Sequence, residues 1–215
     1  MEVYFIRHGK TEWNARGVFQ GRTDIRLSDV GREQAREAGE QIRSLGISFD
    51  QVICSPLVRA RETAALVSGY PDHSIMIDDR LTEMAFGVLE GTDFYTPSYP
   101  GCESASKPFG GLFVDPEHFE APEGCETFQE LKARTGAFLE DLFRRSASPD
   151  APRNVLVVSH GGVIRSILLV LREVPLAEMW GIKVPNCRFF PFTFSGETAA
   201  EHPDPLGGSG DEAWT

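Results

Sequence analysis

Long apolar runs are scarce in this sequence. The most apolar stretches, 155–158 and 167–171, fall far short of the roughly 18–20 residues a bilayer span needs, so membrane insertion is not expected. Positive charge is also short: 21 Lys+Arg stand against 32 Asp+Glu, a net charge of −11. A nucleic-acid partner is therefore not expected, because such proteins neutralise phosphates with a cationic surface. The four cysteines (Cys54, Cys102, Cys125, Cys187) include no Cys-x-x-Cys pair, which argues against a zinc site or a disulfide framework. Residues 1–6 offer neither a basic leader nor a long apolar segment, so no secretion signal is read and the cytoplasm is the expected setting. No internal repeat is visible.

What is present is 215 residues with 41% hydrophobic side chains, enough for one sizeable core. Short β-like runs alternate with helical stretches, which predicts an α/β fold: three layers, α/β/α, around a mainly parallel central sheet. Strands are expected over 3–6, 51–54 and 154–159, with a weaker one at 74–77. Ser28 is positioned to cap a helix over 29–45 that stops at Gly46. Ser55-Pro56 reads as the cap and first position of a helix reaching about Ser68. Thr127 to Glu130 is a capping box before an amphipathic helix carrying Leu131, Phe138, Leu139, Leu142 and Phe143. An apolar helix follows over 162–171, and a closing strand over 187–194 in which Pro191 suggests an edge or a bulge. Residues 1–195 thus form one domain. An aperiodic segment at 92–123, holding Phe94, Tyr95, Tyr99, Phe109, Phe113 and Phe119, reads as a cap insertion over a site or as an anchor to the core. Residues 196–215, rich in Gly, Pro and acid, read as a disordered tail.

Three predicted strands end in reactive clusters: Arg7-His8-Gly9-Lys10-Thr11-Glu12-Trp13-Asn14, then Ser55-Pro56-Leu57-Val58-Arg59-Ala60, then Ser159-His160-Gly161-Gly162. Ligands of open α/β sheets bind beyond the carboxyl ends of strands, so the clusters can converge. Guanidiniums beside imidazoles repel a metal ion but suit a phosphoryl group, which Arg grips with paired donors. Gly161 would let backbone N–H groups approach the anion closely. A neutral imidazole keeps one lone pair and can attack phosphorus.

Arg7-His8-Gly9 with Thr11 and Asn14, Ser55-Pro56-Leu57-x-Arg59-Ala60 with Thr63-Ala64, Glu83, and Ser159-His160-Gly161-Gly162 resemble, in order, the histidine phosphatase superfamily and its phosphoglycerate-mutase-like branch. The resemblance implies that His8 is the nucleophile forming a phosphohistidine, and that Arg7, Arg59 and His160 surround the phosphoryl oxygens. It implies that Asn14, Gln20 and Gly21 contact substrate, and that Glu83 protonates the leaving oxygen and then activates water. No metal or organic cofactor is implied; the expected partner is a small phosphorylated metabolite. A homodimer is among the assemblies the sequence leaves open.

Within that resemblance, residues 83–91 lack the Arg-His-Tyr-Gly that follows the acidic Glu in the mutases, and Met84 and Phe86 suggest an apolar rim that disfavours a doubly anionic substrate. A phosphatase is therefore expected, with a phosphoglycerate mutase as the alternative. Gly124-Cys125-Glu126-Thr127 departs from the Gly-Gly-Glu-Ser of many relatives. A non-catalytic phospho-ligand binder is the reading of another class; it would not need both His8 and Glu83. A metal-dependent hydrolase lacks His-Glu-x-x-His or clustered Asp ligands. Glu90 is a rival to Glu83, while Arg61, Glu62 and Arg165 read as helix-surface ion pairs.

Overall fold

The central strands are apolar at nearly every position because the sheet they form is covered on both faces. In the computed structural model, which describes residues 1–94 and 111–207, β1 (Glu2–Arg7) is followed by the one-turn helix α1 (Glu12–Ala15) and then α2 (Asp29–Ser44). Next come β2 (Gln51–Cys54), α3 (Val58–Ser68) and the two-residue β3 (Met76–Ile77). The chain continues through α4 (Phe128–Ser146), β4 (Asn154–Ser159), α5 (Gly161–Leu171), β5 (Phe189–Ser195) and β6 (Thr198–Glu201). The sheet order is β3-β2-β4-β1-β5-β6, with β1 to β4 parallel and β5 and β6 antiparallel.

Alternation along the strands sorts the core into two layers. Val3, Phe5, Val155 and Val157 pack with Leu131 and Phe138 of α4 and Ile164 and Leu168 of α5. Tyr4, Ile6, Leu156 and Val158 pack with Ala35 and Ile42 of α2 and Ala60 and Val67 of α3. Helices thus cover both faces, and the three-layer α/β/α arrangement is as expected. Ser28 caps α2 by accepting from the Gly31 N–H at 3.1 Å, and the Thr127–Glu130 capping box opens α4. No helix among the described residues is long and apolar enough to cross a membrane.

The structure differs from the expectation at several points. α3 starts at Val58 with Leu57 at its N-cap, so Ser55-Pro56 stands outside it. The Ser55 hydroxyl is instead engaged by His160 and by the Leu57 N–H. The strand expected over 74–77 shrinks to β3, because Asp72–Ser74 form a 3-10 turn. Pro191 lies in an interior strand. Its carbonyl accepts from His202, just past the end of β6, so its missing N–H faces the point where that ladder stops. The acidic tail is not wholly irregular: Thr198–Glu201 fold back as β6 onto β5. Tyr95, Tyr99, Cys102, Phe109 and residues 208–215 lie outside the described residues.

Candidate active site

β1 and β4 pair in register from Glu2↔Asn154 to Arg7↔Ser159, so their ends bring Arg7-His8 and Ser159-His160 side by side. The His8 and His160 ring centroids are 5.1 Å apart. The loop carrying His8 is pressed against the start of α2: a Cβ on Gly9 would lie 2.3 Å from the Gly31 carbonyl oxygen. His8 Nδ1 lies 2.7 Å from its neighbour's carbonyl, Gly9 O. A carbonyl only accepts, so Nδ1 carries the proton and Nε2 keeps the lone pair. Burial, then Arg59 and Arg7, hold the His8 imidazole well below its ordinary value, so it is neutral near pH 7.

Arg59 is fully buried at the second position of α3. It donates to the carbonyls of Gly21 at 2.7 Å and Thr23 at 2.9 Å. Desolvation pulls it down to about 10. Arg7 donates to Val184 O at 2.9 Å and is also lowered, chiefly by burial. His160 is fully buried behind His8 and neutral, lowered by burial and then by Arg59. Arg7 Nε, Arg59 Nε and His160 Nδ1 are buried with no hydrogen-bond partner among the described residues. Unmet buried polar atoms are uncommon and costly. Arg7 and Arg59 line the cavity of the site, whereas His160 is not among its lining residues.

Glu83 is buried, held where the Ser159 hydroxyl donates to Leu81 O at 2.8 Å. Its Oε1 accepts from Met84 N at 2.8 Å and its Oε2 from Gly162 N at 3.2 Å, in the first turn of α5. A Cβ on Gly162 would sit 2.7 Å from Glu83 Oε1, so this glycine makes room for the carboxylate. Glu90 is occupied elsewhere: it accepts from the N–H groups of Arg22, Thr23 and Phe86 and from the Thr23 hydroxyl. It is therefore a clamp on the loop that carries the Gly21 and Thr23 carbonyls, not a rival acid. Asn14 Oδ1 accepts from the Thr11 backbone N–H at 3.1 Å and Gln20 Oε1 from the Thr11 hydroxyl at 3.0 Å, which leaves their NH₂ groups as what they can offer a ligand.

Arg7, His8, Asn14, Gln20, Gly21, Arg59, Glu83 and Gly161 all line one cavity of about 640 Å³. Its outer part is formed by Phe19, Phe86, Phe94, Phe113, Trp180 and Val184. Phe19 and Phe113 stack at 5.8 Å, and Phe113 meets Trp180 edge to face at 4.8 Å. Phe86 thus faces the cavity as expected, whereas Met84 is fully buried in the core and forms no rim. Arg165, read from sequence as a surface ion pair, is instead buried in the site. It donates to Ile182 O at 2.9 Å, lies over the Trp180 ring, and is pulled down to about 9 by burial and Arg7. Arg61 and Glu62 do form ion pairs, with Asp72 and Arg32. Glu126 is gripped by Arg134, and the Cys125 thiol donates to Phe86 O, so the departure at 124–127 ties α4 to the cavity wall.

The family model of the histidine phosphatase superfamily (branch 1) matches residues 3–202. The chain belongs to this superfamily. A Hydrogenobacter thermophilus histidine phosphatase relative, provisionally named phosphoserine phosphatase 2, is 31% identical over 91% of this chain and 90% of its own. An Enterobacter relative provisionally named phosphoglycerate mutase GpmB is 33% identical, covering 87% and 82%. The crystal structure of the alpha-ribazole phosphatase from Shigella flexneri superposes with a TM-score of 0.78 at 28% identity, over 94% of this chain and 95% of that one.

Proposed function

We propose that this histidine phosphatase hydrolyses a small phosphorylated metabolite, with His8 as nucleophile. The observation that carries the reading is one cavity lined by Arg7, Arg59 and Glu83 together with an imidazole, His8, whose Nε2 keeps its lone pair. His8 Nε2 attacks phosphorus as the bond to the leaving oxygen breaks, and Glu83 gives that oxygen a proton. Glu83 then takes a proton from water, whose oxygen attacks phosphorus; the P–N bond breaks, His8 recovers its lone pair and inorganic phosphate leaves. Arg7, Arg59 and His160 stabilise the transferring group, and the guanidiniums would repel a metal ion, so the cycle is metal-independent.

The aromatic wall favours a leaving alcohol with an apolar or aromatic face. The relatives named as phosphoglycerate mutase support the alternative in which a second substrate hydroxyl replaces water. We place the protein in the cytoplasm, where the unpaired Cys54, Cys125 and Cys187 stay reduced.

The test is turnover of benzyl, ethyl and p-nitrophenyl phosphates in EDTA by wild type, His8→Ala and Phe113→Ala. Metal-independent turnover lost in His8→Ala, with benzyl favoured over ethyl phosphate and that preference reduced in Phe113→Ala, supports the reading. Full activity of His8→Ala would exclude the covalent route. Isomerisation of 3-phosphoglycerate faster than phosphate release would make the protein a mutase.

A further inference from the structure

The Ser55 side chain is fully buried at the end of β2, outside both the cavity lining and the helix it was expected to cap. Its backbone N–H donates to Val158 O at 3.1 Å, which fixes its position against β4. The hydroxyl oxygen makes two hydrogen bonds: the Leu57 N–H donates to it at 3.3 Å, and His160 Nε2 lies 2.7 Å away. A hydroxyl has one proton, and a neutral imidazole has one N–H and one lone pair.

Two arrangements are open. If Nε2–H donated to Ser55, the oxygen would accept twice and the hydroxyl proton would be buried with no acceptor among the described residues; His160 Nδ1, bare of hydrogen, could then only accept. If Ser55 donates to Nε2, every proton at this junction is used and the imidazole proton sits on Nδ1, the buried atom with no partner. Only the second arrangement makes Nδ1 a donor beside His8, where an anionic phosphoryl oxygen would accept from it. Burial beside Arg59, His8 and Arg7 keeps the ring neutral, so it holds one proton to place.

We infer that Ser55 is a positioning residue: its hydroxyl donates to His160 Nε2, locks the Nδ1–H tautomer and so makes His160 a phosphoryl donor without a positive charge. The consequence for catalysis rests on the phosphatase reading; the tautomer itself does not. It also gives the serine before Pro56 a physical task in this chain that helix capping does not supply.

Long-range proton–nitrogen correlation spectra of the full-length wild-type protein, with ring signals assigned through His160→Asn, read the tautomer directly. Protonated Nδ1 with bare Nε2 is the expected pattern; protonated Nε2 overturns the inference, and this arm does not depend on any Ser55 variant folding. Ser55→Ala should mix or reverse the pattern and lower kcat on benzyl phosphate about tenfold, the scale of one hydrogen bond, with KM within about twofold. Ser55→Thr should restore both. Retention of the Nδ1–H pattern and of kcat in Ser55→Ala would overturn it. An Nδ1–H pattern in a protein that hydrolyses no phosphate ester would leave the tautomer standing and sink the function.

Discussion

Bound orthophosphate should stabilise this protein strongly, and the size follows from the site. Arg7, Arg59 and Arg165 all feel the field of Glu83, and Arg59 feels Asp24 and Glu90 as well. With both histidines neutral, the guanidiniums are the cluster's cationic donors, and they outnumber the carboxylate they share, which suits a phosphate dianion. A charge pair at about 4 Å with an effective dielectric of about 20 is worth about 4 kcal/mol, and meeting each buried donor recovers about 1–3 kcal/mol. Removing Arg59 should therefore weaken phosphate binding by about 10³ fold or more. At a phosphate concentration about 100 times the wild-type Kd, stabilisation is about 2.7 kcal/mol, or about 5–10 °C in Tm for a chain of this size. The assay is thermal unfolding in phosphate, sulfate and chloride at matched ionic strength, with wild type and Arg59→Met. The dianions should raise Tm and chloride should not, and the increment should vanish in Arg59→Met at the same concentration. Equal increments in both proteins, or none in wild type, would refute the picture of a preformed dianion cradle.

Three further outcomes are expected. Glu83→Gln should slow hydrolysis of benzyl phosphate by about 10²–10³ fold but that of p-nitrophenyl phosphate by much less, since nitrophenolate leaves without a proton; equal losses would remove Glu83 from the acid role. Gly9→Ala should lower stability by about 2 kcal/mol or more in urea melts, because its Cβ would meet backbone rather than a movable side chain. His8 and His160 are held below their unfolded value of about 6.5, so as pH falls beneath that value the unfolded chain takes up protons first and stability drops. The slope is about 1.4 kcal/mol per pH unit for each histidine, lost in the matching Asn variant, while the exposed His118–Asp115 pair works in the opposite sense. A flat stability profile between pH 8 and pH 5.5 would contradict the buried neutral imidazoles.

The elements legible in the sequence were those whose signal is local. Ser28 and the Thr127–Glu130 box mark helix starts because a cap is a contact three residues long. The runs at 3–6 and 154–159 mark central strands because burial on both faces demands unbroken apolarity. Ser55-Pro56 misled because its local signal was a helix cap, while the hydroxyl's partner, His160, lies 105 residues away. β6 was missed because an edge strand half open to solvent needs no apolar pattern. In the site, His8, Arg59 and His160 could be read because each follows a strand in a chemically distinctive string. Arg165 and the wall of Phe19, Trp180 and Val184 could not be assembled in the same way, since only the fold brings those positions to one cavity.

In the proposed mechanism Glu83 does more than supply a proton. It is the counter-charge common to Arg7, Arg59 and Arg165, so an arriving phosphate dianion competes with its carboxylate for the same guanidiniums. Two anions sharing one set of cations each feel the loss of a shared cation. The Glu83 oxygens accept from Met84 N and Gly162 N, which in the proposed cycle would place the carboxylate to draw a proton from water after the alcohol has left. The two half-reactions then follow from one shared field, and the loss of Glu83 and the loss of an arginine cannot be independent in their effects on rate.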